Sequence, residues 1–83
     1  MNITRRNVDN GIHHFYFDED DTWVAITPCS HSWEYQTDDD CDTYVSGNYV
    51  TEGNTVIDYD GIYGELPVAV ILALSDMGFD FDL

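Results

Sequence analysis

Apolar and polar positions along the chain change their period once, from the short alternations of strands to the longer repeat of a helix. Ile12 to Asp18 is rich in aromatic residues and reads as a strand. Thr22 to Thr27 reads as a second, and the polar break Asp18-Glu19-Asp20-Asp21 between them makes a hairpin. Pro28 has no amide donor, so it ends that strand or places it at a sheet edge. Ser32 to Thr37 alternates Trp33 and Tyr35 with Glu34 and Gln36, the pattern of a strand with one wet face. Asp38-Asp39-Asp40 reads as a turn or loop. Thr43 to Thr51 and Thr55 to Tyr59 flank Glu52-Gly53-Asn54, a good hairpin turn. Ile3 to Val8 carries a fainter strand pattern.

The helical stretch runs from Leu66 to Gly78. Pro67 suits a first helical turn and Gly78 the position just past the end. Val70, Ile71, Leu74 and Met77 form one face, while Val68, Ala69 and Leu72 spread apolar character around the rest. A helix apolar on most sides is covered on most sides. Either the sheet wraps it or a second subunit does, which leaves a homodimer through this helix open. Phe79-Asp80-Phe81-Asp82-Leu83 alternates again and suits a last short strand or a clamp across the sheet. The expected fold class is therefore α+β: one domain over residues 1–83, with an antiparallel sheet of four to five strands and one C-terminal helix packed on it.

Composition then decides between a folded domain and an acidic tail. The apolar share is 43% and the aromatic share 14%, too high for disorder. Charge changes the picture more. Seventeen acidic residues face two arginines and no lysine, a formal net charge of −15. Carboxylates two residues apart on a strand lie about 6.6 Å apart and repel by roughly 0.6 kcal/mol in bulk water. Many such pairs oppose folding, so the acidity points outward, to a basic partner. Direct binding to bare nucleic acid or to an anionic membrane is not expected. The longest apolar run, Leu66 to Leu74, is too short to span a bilayer. With no secretory leader in view, the expected compartment is the cytoplasm, with reduced thiols.

The carboxylates fall into clusters: Asp18, Glu19, Asp20 and Asp21; Asp38, Asp39, Asp40 and Asp42; Asp58 and Asp60 with Glu65; and Asp80 and Asp82. Asp38, Asp40 and Asp42 would point the same way if extended. That spacing approximates the separation of successive phosphates along one nucleic-acid strand. The first contact candidates are Asp38, Asp39, Asp40 and Asp42, then Asp18, Glu19, Asp20 and Asp21, then Asp58 and Asp60. The aromatic residues exceed what one small core needs. A sheet face presenting Tyr beside a carboxylate would suit arginine, through stacking and charge.

In size, absence of Lys and clustering of Asp, the chain resembles small acidic phage proteins that mimic nucleic acid and block host defence enzymes, the anti-restriction and anti-CRISPR type. The resemblance covers composition and matches no motif, so no residue role is transferred from it. It implies an inhibitor acting in the host cytoplasm, with a basic nucleic-acid-binding protein, such as a Cas or restriction-type complex, as partner. An acidic partner subunit (an antitoxin, or a chaperone of a basic protein) and a halophilic structural domain use the same charges differently.

Catalytic and metal chemistry find less support. An EF-hand loop starting at Asp38 would need Gly and Glu where Thr43 and Tyr49 stand. Cys29, His31 and Cys41, with His13 or His14, match no zinc spacing, and the cysteines are expected to pack as small hydrophobes or lie close by chance. A negative surround disfavours thiolate chemistry at Cys29. No enzyme activity and no cofactor are expected.

Overall fold

The computed structural model describes residues 1–19, 21–37, 43–61 and 64–82. Seven strands follow one another in a sheet whose spatial order is the chain order: β1 (Ile3–Asp9), β2 (Ile12–Phe17), β3 (Trp23–Thr27), β4 (Ser32–Thr37), β5 (Thr43–Glu52), β6 (Thr55–Tyr59) and β7 (Asp80–Phe81). The one α-helix among the described residues, α1 (Val68–Asp76), lies between β6 and β7 in sequence. The sheet curls into a half-barrel, and α1 packs on β3 and β4.

This overturns the expectation of an antiparallel sheet of four to five strands. The sheet has two or three strands more than that, and it is mixed, because β7 runs parallel to β6. Parallel neighbours need a crossover of a dozen or more residues, usually through a helix. The segment from Asp60 to Phe79, with α1 inside it, supplies that crossover. Asp80 and Asp82 then donate their amides to the carbonyls of Asn54 and Val56, both at 2.9 Å. β1 is held differently. Apart from half-buried Ile3 it is exposed along its length, so backbone pairing to β2 rather than its own apolar side chains fixes it.

Local chemistry explains the turns. Asn10 and Gly11 both have positive φ, 51° and 77°, as a two-residue type I′ hairpin between β1 and β2 requires. Pro28 does end β3, and Pro28–Ser30 forms a single 3-10 turn. α1 stops through a Schellman arrangement: the Phe79 amide reaches the Leu74 carbonyl (3.1 Å) and that of Gly78 reaches Ser75 (3.0 Å), with Gly78 at φ 97°.

Alternation along the strands sorts side chains onto two faces. The inner face, under the helix, carries Phe15, Phe17, Val24, Ile26, Trp33 and Tyr49, all buried. The helix contributes Ala69, Val70, Ala73 and Leu74. The helix is thus rotated from the expected face. The two alanines lie against the sheet, where their size allows close approach, while Ile71, Leu72 and Met77 are only half-buried and Val68 is 62% exposed. On β5, Gly47 pairs with Trp33 and lies against its indole. A Cβ there would stand 2.8 Å from Trp33 Cζ2, so the glycine is a packing requirement.

Candidate interaction surface

Where the chain spends its two cations determines what surface remains. Both lie on β1. Arg6 faces inward at the sheet edge, and its Nη1 donates to Asp76 Oδ2 at 2.7 Å. It also reaches the Asp76 carbonyl at the C-terminal end of α1, where the helix dipole favours a cation. Its Nη2 lies 3.2 Å from His13 Nδ1, and the guanidinium carbon stands 5.0 Å from the centre of the Phe15 ring. One residue thus pins the open edge of the sheet to the helix. Arg5 faces outward and stacks over Tyr16, 4.1 Å from its ring centre. Among the described carboxylates only Asp76 has an ion-pair partner.

The proposed contact residues divide into two groups. Asp18, Glu19 and Asp21 are exposed in the β2–β3 turn. Thr22 and Thr37, both buried, join hydroxyls at 3.0 Å at this end of the sheet, and Thr37 pairs there with Thr43. Asp20 and the cluster Asp38, Asp39, Asp40 and Asp42 lie outside the described residues, the latter between Thr37 and Thr43 in sequence. Asp58 and Asp60 belong to the opposite end. Asp60 bonds to Asn48, and Asn48 pairs with Ser32 at the start of β4.

Some of these carboxylates already serve the fold. Asp18 accepts the Asn2 amide at 2.9 Å and the Asn2 side chain at 3.3 Å, and it donates its own amide to the Asn2 carbonyl. The backbone bond from Asn2, then the side-chain bond, hold its pKa below the usual carboxylate value. Asp60 Oδ2 accepts the Asn48 amide at 3.3 Å, and Asp58 Oδ1 accepts the Tyr59 amide at 2.9 Å. Glu19 and Asp21 are exposed without such bonds among the described residues.

The outer face of the first five strands holds a surface that the clustering of acidic residues did not reveal. The registers align Arg5, Tyr16, Trp23, Gln36 and Tyr44 into one row across the strands. Beside it runs a second row of Asn7, His14, Ala25, Glu34 and Ser46. Paired residues in an antiparallel ladder share a face, so each row is a continuous stripe. The Trp23 and Tyr44 rings meet above Gln36 with centres 6.3 Å apart and planes tilted by 54°. Desolvation first, and then the charge and hydrogen bond of Glu34, push the Tyr44 phenol's pKa upward. The alternation of Trp33 and Tyr35 with Glu34 and Gln36 was the sequence signal that Glu34 belongs to this face. Which neighbours flank it depended on strand register.

Comparison with protein-family models, with curated proteins and with solved structures finds no match to this chain. Its surface therefore carries the functional reading.

Other candidate chemistry does not assemble. Among the described residues no three His, Cys, Asp or Glu side chains come together as a metal site. Cys29 is exposed on the 3-10 turn rather than packed as a small hydrophobe, and Cys41 lies outside the described residues. Among the described residues no helix is long and apolar enough to cross a membrane.

Proposed function

We propose that this protein is an acidic inhibitor that mimics nucleic acid and occupies the Lys/Arg-lined groove of a basic partner, excluding DNA or RNA by competition. The observation that carries this reading is the distribution of charge. Both arginines are engaged within the fold, while carboxylates on turns and strand ends stay exposed and, apart from Asp76, have no ion-pair partner among the described residues. Such a surface repels polyanions and attracts cationic grooves over several ångströms, within the screening length. The resemblance in size and composition to phage inhibitors of host defence supplies the class of partner, a nuclease or surveillance complex. Glu19 and Asp21, exposed at the β2–β3 turn, are the foremost described contacts. Asp18, and Asp58 and Asp60 at the other end, contribute charge while each accepts a backbone amide.

The test is mutual exclusion. A basic nuclease retained by the immobilised protein is titrated with duplex DNA. Release of the nuclease as DNA saturates it supports the proposal. A stable complex of all three overturns it in favour of a partner subunit that tolerates bound DNA. Retention should also weaken steeply as salt rises, and affinity flat across salt would contradict charge as the basis of binding.

A further inference from the structure

The outer face differs from the rest of the surface in kind. His14, Tyr16, Trp23 and Glu34 line an open groove of about 270 Å³. Pockets for drug-sized ligands run from about 300 Å³ upward and enclose most of the ligand. An open groove smaller than that suits one side chain. Ala25 sits between His14 and Glu34 in the ladder, and its single methyl leaves the depression between larger neighbours. The walls are aromatic on one side and end in a carboxylate on the other. Tyr44, 56% exposed, extends the aromatic wall past Trp23.

The chain itself shows what such a surface accepts. At the β1 end of the same row, Arg5 lays its guanidinium 4.1 Å from the centre of the Tyr16 ring. Guanidinium stacks on aromatic faces and pairs with carboxylates through a planar fork, whereas ammonium acts as a compact point charge. Inward from Arg5, the Trp23 ring and the Glu34 carboxylate offer the same two elements, a π-face and an anion, with no cation of this chain between them among the described residues.

We infer that this groove seats an arginine side chain from the basic partner, with its guanidinium stacked on Trp23 and paired with Glu34. This rests on the proposed binding of a basic surface and names the residue type that the surface selects. The net charge brings any cationic partner near. The groove then discriminates, because a ring and a fork-accepting carboxylate together favour arginine over lysine.

Calorimetric titration with two peptides of equal length and charge, one of arginines and one of lysines, separates the two readings. Both peptides should bind the intact protein and weaken with salt, and the arginine peptide should bind on the order of tenfold tighter, the scale of one cation–π contact. Trp23→Ala and Glu34→Gln should each remove the arginine preference. Trp23→Ala should leave lysine-peptide affinity nearly unchanged, and Glu34→Gln should lower it only by the loss of one charge. Glu34→Gln replaces a surface group by its isostere, so it keeps the test sound if Trp23→Ala unfolds. Equal affinity for the two peptides would overturn the groove while leaving the anionic reading in place. So would an arginine preference that survives both variants. Failure of both peptides to bind would overturn the two together.

Discussion

The two faces of the same strands use one residue type for opposite ends. Trp33 on the inner face is 1% exposed, lies against Gly47 and belongs to the core. Trp23, on the neighbouring strand but the outer face, is half-buried, meets the exposed Tyr44 and borders Glu34. The inner face is apolar because α1 and the curl of the sheet exclude water from it. The outer face keeps large aromatic rings with no element packed above them among the described residues and mixes them with a carboxylate. A small domain has little apolar surface to spare, so rings left outside the core are surface available for recognition.

The comparison breaks or sharpens by substitution. Trp33→Ala should cost about 3–5 kcal/mol, the range for truncating a core aromatic. That rivals the whole stability of a small domain, so urea denaturation should find the variant largely unfolded. Gly47→Ala should cost roughly 1–3 kcal/mol by forcing a Cβ against the Trp33 indole, read as a lower urea midpoint with an unchanged slope. Trp23→Ala should cost about 1 kcal/mol, the scale of a cross-strand pair. Were it as damaging as Trp33→Ala, the outer row would be a second core rather than a recognition surface.

The smallest expected effect concerns the N-terminal edge. The folded-state pKa of Asp18 is lowered by the bonds from Asn2. Its contribution is therefore present above the unfolded carboxyl pKa, about 3.9, and is lost as pH falls through the lower folded value. Amide protection at the start of β1, measured relative to the intrinsic exchange rate at each pH, should fall on acidification below about pH 4. Asp18→Ala should show low protection there at every pH, with a flatter pH profile. Indistinguishable profiles would remove Asp18 from the anchoring of β1.

Much of this fold is readable from local pattern. Ser32 to Thr37 alternates cleanly and is β4 to the residue, and Pro67 and Gly78 bracket α1. β1 shows only the fainter pattern of Ile3 to Val8, because Thr4, Arg5, Arg6 and Asn7 offer no apolar stripe. Its signal is instead Asn10-Gly11, the favoured two-residue turn for a hairpin. β7, two residues long, lies within the alternation of Phe79 to Leu83, but its parallel pairing exists because α1 returns the chain to β6, a tertiary cause with no local signature. The helix face misleads because hydrophobicity ranks Ile71 and Met77 above Ala69 and Ala73, whereas close approach to the sheet favours the alanines.

The candidate surface is legible only in its ingredients. Clustering along the chain highlights runs of Asp, yet Asp18, Asp58 and Asp60 turn out to hold backbone amides. The row of Arg5, Tyr16, Trp23, Gln36 and Tyr44 draws one residue from each of five strands. Only the pairing registers bring those positions together, so no spacing along the chain announces them.

The two indoles provide one reporter on each face. In a nitrogen–proton correlation spectrum, titration with the arginine peptide should shift the Trp23 indole signal progressively and leave that of Trp33 in place. Movement of Trp33 with Trp23 unmoved, or of neither while the peptide binds, would contradict the assignment of the outer face to recognition.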